Sequence, residues 1–224
     1  DHVFAREFFL PNARYDPLVV PACSECNNAK AKLEHYLTAV LPFGGRHGDA
    51  SENLSQMVPK RLRRNLSLHQ SLASSQQIVW VKENGIIMPA MSIAVDFQQV
   101  EELFKQIIQA LCWLHFGVYL THEEEFITVL ALNARGEQMF EQRFFRANVA
   151  ARVANDVGDG AFMYEGVQGI DNPVITAWRL RIYGGLSFGG DPHKREECST
   201  MIGAMTGPRR VLTFAQLYSR FAPH

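Results

Sequence analysis

The chain has little cysteine, no excess of either charge, and no long apolar run. Only four of its 224 residues are cysteine. Cys23, Cys26, Cys112 and Cys198 are too few and too unevenly spaced to form a disulfide framework, which suits a reducing cytoplasm. The formal net charge is −1. Binding nucleic acid by bulk charge is therefore excluded, and any such contact has to be local. No apolar stretch approaches the roughly 20 residues needed to span a bilayer. Internal repeats and low-complexity segments are also missing, which excludes solenoids and linker-like chains. No secretory leader is visible, and the chain does not open on Met, so further residues are expected upstream of Asp1.

What remains is ordinary for a globular protein: 47% hydrophobic and 20% charged residues, enough to bury a sizeable core. After the turn formers Pro11-Asn12 and Asp16-Pro17, Leu18-Val19-Val20 reads as a short buried strand. A helix is expected from about Asn27 to Leu41, with Leu33, Leu37, Val40 and Leu41 on one side, ended by Pro42 and Gly44-Gly45. Residues 42–53 read as a connection, and 59–72 as one helix. Asn84-Gly85 between Ile78–Val81 and Ile86–Met88 predicts a tight hairpin. Asp96 with Gln99 resembles a capping box. It opens the longest amphipathic pattern in the chain, with Val100, Leu103, Phe104, Ile107, Ile108, Leu111 and Leu114 at helical spacing. Cys112 falls within this run as a core thiol. Ala161–Tyr164 and Val174–Tyr183 read as strands, the latter with Trp178, Leu180 and Ile182 on an apolar face and Arg179, Arg181 and Tyr183 on a polar one. The fold class is α+β, with a mostly antiparallel sheet in the larger part.

Chemistry concentrates at the start. Asp1-His2-Val3-Phe4 pairs an acid with a histidine, and Pro21-Ala22-Cys23-Ser24-Glu25-Cys26-Asn27-Asn28-Ala29-Lys30 adds a Cys-x-x-Cys knuckle, an amide and a lysine. Phosphodiester hydrolysis needs a base for water, a cation on the phosphoryl oxygens and a group that holds the phosphate. His2 titrates near neutrality and suits the base. Asp1 and Asn27 offer hard oxygen donors that suit Mg²⁺ or Mn²⁺. Lys30, one helical turn after Asn27, and Arg6 in the loop are candidates for the phosphate. Cys23 and Cys26 supply two ligands of a closed zinc site that needs four; His35 and His47 are weaker candidates than a second cysteine pair upstream. The one dense basic run, Lys60-Arg61-Leu62-Arg63-Arg64, is the candidate for nucleic-acid backbone contacts, against the alternative of a solvated helix face.

These residues resemble the HNH (ββα-metal) endonuclease superfamily. The match lies in Asp1-His2-Val3 and in Cys23-x-x-Cys26-Asn27-x-x-Lys30, and covers about a fifth of the chain. The resemblance implies His2 as general base, Asp1 and Asn27 as ligands of a catalytic Mg²⁺ or Mn²⁺, and Cys23 with Cys26 as half of a structural Zn²⁺ site. The family's middle Asn has no clean counterpart; Asp16 is nearest in position. The family's usual first Cys-x-x-Cys precedes the acid–His pair and falls outside this sequence, as does the first strand of the module. Residues 157–164, 171–173 and 177–183 resemble, more loosely, the C-terminal half of uncharacterised bacterial HNH-type proteins. The implied organisation is a ββα-metal module over 1–48 and an α+β domain over 49–224. The implied activity is cleavage of DNA, with RNA as the other nucleic-acid substrate, as an effector of a defence or mobile-element system. The alternative is a non-catalytic zinc-held module that binds nucleic acid or protein, with a protein partner or a second copy engaged through the C-terminal domain.

Other suggestive patterns have plainer readings. His122-Glu123-Glu124-Glu125 reads as a solvated acidic turn, because adjacent residues do not converge on one ion. Gly184–Gly190 lacks the Gly-Lys-Ser/Thr ending of a phosphate loop. Asp191–Lys194 and Gly158-Asp159-Gly160 read as turns, and Phe8-Phe9 and Phe144-Phe145 as core or interface rather than base-stacking platforms.

Overall fold

A 20-residue helix, α5 (Phe97–Phe116), is the centre of the molecule, and its sequence explains it. Asp96 caps it: Oδ1 accepts from the backbone N–H of Gln98 and Gln99, and Oδ2 accepts from Gln99 Nε2. The expected reciprocal arm of a capping box is absent, since the Asp96 N–H donates instead to Tyr36 Oη. Gly117, at φ +65°, ends the helix in the left-handed conformation that glycine adopts without a Cβ clash. Between these ends Val100, Leu103, Phe104, Ile107, Ile108 and Leu111 are buried together with Cys112. Each of those six large apolar side chains contributes roughly 1.5–3 kcal/mol of transfer free energy.

The computed structural model describes residues 1–11, 18–83, 85–121, 123–147, 149–189 and 198–209. Asp16, Asn84, His122, Gly190 and the Asp191–Lys194 turn lie outside the described residues. The order continues as α1 (Ser24–Val40), α2 (Gly48–Gln56), α3 (Val58–Arg64), α4 (Leu66–Ser75), β1 (Gln77–Glu83) and β2 (Ile86–Ser92). After α5 come β3 (Glu125–Leu132), α6 (Ala134–Phe140) with a π-helical turn over Glu141–Phe145, β4 (Ala151–Val157), β5 (Phe162–Gln168), β6 (Thr176–Ile182) and β7 (Met201–Pro208). β3 to β7 form one antiparallel sheet in the order β3-β7-β6-β5-β4, and β1 and β2 form a separate hairpin. The class is α+β, as the pattern indicates.

The sheet is covered on both faces. Trp178, Leu180 and Ile182 of β6 pack towards α5 in a core that also takes in Val3, Phe4, Phe8, Leu37, Phe162 and Ile202. The opening segment and α1 thus share one apolar cluster with the sheet. On the other face Leu132, Ala177, Val167 and Met205 pack with Phe140 and Phe145. Arg179 and Arg181 lie on this second face, where Arg179 pairs with Glu141 and Glu165, and Arg181 with Glu137. The polar face expected of β6 is therefore an ion-paired floor beneath α6.

Four expectations change. The 59–72 helix is two helices, because Asn65 leaves the helical region and its Oδ1 caps α4 at the Leu68 N–H. The connection over 42–53 contains most of a 3-10 turn, Leu41–Gly44, and the start of α2, whose second residue, Asp49, donates its N–H to Nδ1 of the N-cap His47. Leu18–Val20 is not a buried strand but an isolated antiparallel bridge between Val19 and His2, with Val19 exposed and Val20 buried. Tyr183 does not continue the polar face of β6. It is buried at φ +48°, its hydroxyl donates to the Phe8 carbonyl, and its own carbonyl accepts from the N–H groups of Arg46 and His47.

Candidate active site at the opening segment and the first helix

Asp1, His2 and Val3 run antiparallel to Leu18, Val19 and Val20. The Val3 N–H donates to Leu18 O (2.8 Å), and Val20 N–H to Asp1 O (2.9 Å). The chain then passes Pro21 and Ala22 into α1, whose N-cap is Cys23; its Sγ accepts from the Cys26 N–H at 3.2 Å. This cap explains why α1 begins at Ser24, earlier than the apolar spacing suggests. The result is a paired opening segment, a cysteine knuckle and a helix in sequence.

Lys30 links the helix to the opening segment. Its ammonium donates to His2 O and to Glu34 Oε1, both at 2.5 Å, and pairs with Asp1 Oδ2 at 3.1 Å. Only 3% of the residue is exposed. Burial pulls the Lys30 pKa down and pushes that of Glu34 up, and their mutual attraction opposes both shifts. The sequence leads one to expect a Lys30 open to a phosphate. It is instead enclosed by two carboxylates and a carbonyl. Glu34 carries no motif of its own; its spacing of four residues from Lys30 is the one signal that could have found it.

His2 is partly exposed, but its Nδ1 is buried with no hydrogen-bond partner among the described residues. Its pKa is lowered from the ordinary histidine value, first through burial and then through nearby positive charges, Arg6 and Lys30 among them. The shift favours the neutral imidazole, the form with a nitrogen lone pair for a proton. Arg6 is exposed on the 3-10 turn Arg6–Phe8. Asn27 is exposed on α1, three residues before Lys30 and so on the same side of the helix.

Whether these residues suit a divalent cation turns on their donors. Asp1 Oδ1 offers one carboxylate oxygen and Asn27 an amide oxygen, while the His2 imidazole is kept for the base. Those are hard oxygens of the kind Mg²⁺ or Mn²⁺ accepts, but only two of them. Among the described residues no group of three or more His, Cys, Asp or Glu side chains converges as a metal site. Donors from substrate or water would have to complete the set.

Cys23 and Cys26 are exposed and form no disulfide. The hydrogen bonds that Cys23 receives from Cys26 pull the Cys23 thiol pKa down, and the same contact pushes that of Cys26 up. Cys23 is therefore the first of the pair to become a thiolate, the form that binds zinc. His35 is exposed on α1. His47 is occupied: Nδ1 accepts from the Asp49 N–H, so Nε2 carries the proton and donates to Asp159 O at 2.9 Å.

The basic run divides. Arg61 uses Nη1 and Nη2 on the carbonyls of Thr38 and Glu7, both at 2.7 Å, and so ties α3 to α1 and to the opening segment. Arg63 donates to Pro59 O at the surface, and Lys60 and Arg64 are exposed on the same short helix. Of the run, Lys60, Arg63 and Arg64 are therefore the members left exposed at the surface. Phe8, Phe9 and Phe145 are core, as expected, and Gly158-Asp159-Gly160 is a turn between β4 and β5 with three successive positive φ angles. No helix among the described residues is long and apolar enough to cross a membrane. Compared with protein-family models, curated proteins and solved structures, the chain matches none.

Proposed function

We propose that the chain is a metal-dependent HNH-type endonuclease that hydrolyses phosphodiester bonds of DNA. The observation that carries this reading is the tethering of the Asp1–His2 step to α1: an acid and a histidine, the latter bridged to Val19, are held by Lys30 of the helix that Cys23 caps. Asp1 and Asn27 would hold one Mg²⁺ or Mn²⁺, and Cys23 and Cys26 two of the four positions of a structural Zn²⁺. When bound, the hard cation supplies positive charge to a non-bridging phosphoryl oxygen and to the departing 3′ oxygen.

The chain's own groups do the rest. His2 takes a proton from the attacking water, a role that its lowered pKa favours. Arg6, exposed beside His2, meets the scissile phosphate in place of the enclosed Lys30. Lys60, Arg63 and Arg64 contact the backbone further along.

The test is a plasmid-cleavage assay in Mg²⁺ or Mn²⁺ with the full-length protein and its His2→Ala variant. Loss of the general base is expected to cost about 10²–10⁴-fold in rate. Because the base must be deprotonated, and its folded-state pKa is lowered from the ordinary histidine value, the wild-type rate should fall on acidification at a lower pH than an unperturbed histidine would give. Equal cleavage by the two proteins would remove the reading.

A second reading, a protein-binding module, is favoured by the β1–β2 hairpin. Ile78, Trp80, Ile87 and Met91 are exposed on it, and Ile78 and Trp80 stand opposite Met91 and Pro89 on one face. Such a module would keep its binding in His2→Ala and cleave nothing in any metal.

A further inference from the structure

We propose that the cavity beneath the β1–β2 hairpin is a binding site for an amphipathic anion with an alkyl body, of the fatty-carboxylate class. The cavity has a volume of about 660 Å³, within the roughly 300–1,000 Å³ typical of small-molecule sites. One wall is the inner face of the hairpin, with Val79, Val81 and Ala90. Alternation along β1 turns Ile78 and Trp80 to the opposite, exposed face. The body of the molecule supplies the facing wall, with Leu41, Phe43 and Leu186.

The hairpin does not fill this space itself. β1 and β2 pair only with each other. Val79, Val81 and Ala90 are half-buried and belong to none of the apolar clusters of the described residues. A two-stranded hairpin without a packed apolar face is marginal in water. An apolar occupant would take area out of water on the hairpin and on the body together.

Charge selects the occupant. Among the described lining residues the two that carry charge, Arg46 and Lys82, are both cations. Arg46 is fixed at the wall, since its Nη2 donates to Ser187 Oγ at 3.0 Å and its backbone N–H to Tyr183 O. Positive charge beside low-dielectric walls attracts an anion more than it does in open water. A wholly apolar ligand leaves that field unused, and a short polar anion leaves the walls wet. A peptide would bury backbone N–H and C=O groups against walls that are mostly aliphatic. An alkyl chain ending in a carboxylate meets both requirements. None of Asp1, His2 and Asn27 lines the cavity, so this inference stands or falls apart from the nuclease reading.

The experiment is isothermal titration calorimetry of the full-length protein with octanoate, decanoate and dodecanoate, below their micellar concentrations, and with decanol. The expected result is one site per chain whose affinity rises with chain length by up to about fourfold per methylene, because a buried CH₂ is worth about 0.8 kcal/mol. Decanoate should bind more tightly than decanol, and the double variant Arg46→Gln with Lys82→Gln should narrow that gap. Ala90→Phe fills the cavity from β2 and should abolish dodecanoate binding with unchanged circular dichroism. Dodecanoate carrying a terminal diazirine, photolysed on the wild type and mapped by peptide mass spectrometry, should leave adducts within 40–44, 79–95 or 186–189. If Ala90→Phe unfolds, this adduct map decides. The inference is overturned by the lack of saturable dodecanoate binding, by an affinity indifferent to chain length, or by adducts confined to other segments. Full affinity in a folded Ala90→Phe variant overturns it too, as does a carboxylate preference that is missing in the wild type or survives the loss of both cations.

Discussion

Thiol chemistry at the residue scale follows from surroundings rather than from residue type. Cys23 sits at a helix N-terminus, exposed, with hydrogen bonds from Cys26 that favour its thiolate. Cys112 is buried in α5, where loss of water pushes its pKa up to about 11, and its Sγ lies 3.4 Å from Thr176 Oγ1. Brief treatment of the folded protein with iodoacetamide near pH 7 should therefore label Cys23 ahead of Cys26 and leave Cys112 unmodified until denaturant is added, as followed by peptide mass spectrometry. Labelling of Cys112 at the rate of Cys23 would contradict the burial assigned to it. The same scale shows what residue spacing conveys. Cys112 falls among apolar residues at helical spacing, so its burial is legible. Lys30 looks like any surface lysine, because its partners Asp1 and His2 lie 29 and 28 residues away, and only the bridge at Val19 brings them together.

Elements whose signals are local are the readable ones. α5 has a capping acid, a strong apolar period and a terminal glycine, and all three act within a single stretch of chain. Truncating Asp96 to Ala removes the acceptor for the Gln98 and Gln99 N–H groups. It is expected to cost about 1 kcal/mol, or roughly 2–4 °C in Tm for a chain of this size, by scanning calorimetry. An unchanged Tm would mean that the cap is redundant. The β1–β2 hairpin is legible for the same reason, since Gly85 takes φ +83° between two apolar runs. The break between α3 and α4 is hidden: Asn65 can sit inside a helix or cap one, and the choice depends on Leu68 and Leu72 packing against Ala39 and Val40 of α1. The arginine face of β6 is easily misread, because alternation distinguishes apolar from polar, not exposed from ion-paired. Glu137 and Glu141, four residues apart on α6 and its π-helical extension, are what cover it.

For the whole molecule, the shared core decides how the chain responds to stress. Phe8 is fully buried with its ring 5.0 Å from that of Phe162, and Phe4 lies 4.9 Å from the same ring. The opening segment is therefore expected to melt with the sheet in one transition. Phe8→Ala should lower that single Tm, at a cost of about 3–5 kcal/mol; two separate calorimetric peaks would show independent units instead. Tyr183 adds a consequence of its own. Its hydroxyl reaches back 175 residues to the Phe8 carbonyl. While the polypeptide emerges from the ribosome, the stretch around Phe8 has no such anchor until Tyr183 itself has been added. Contacts that distant slow folding, and the aromatics Phe4, Phe8 and Phe9 spend that interval uncovered, where a chaperone has most to gain by shielding them.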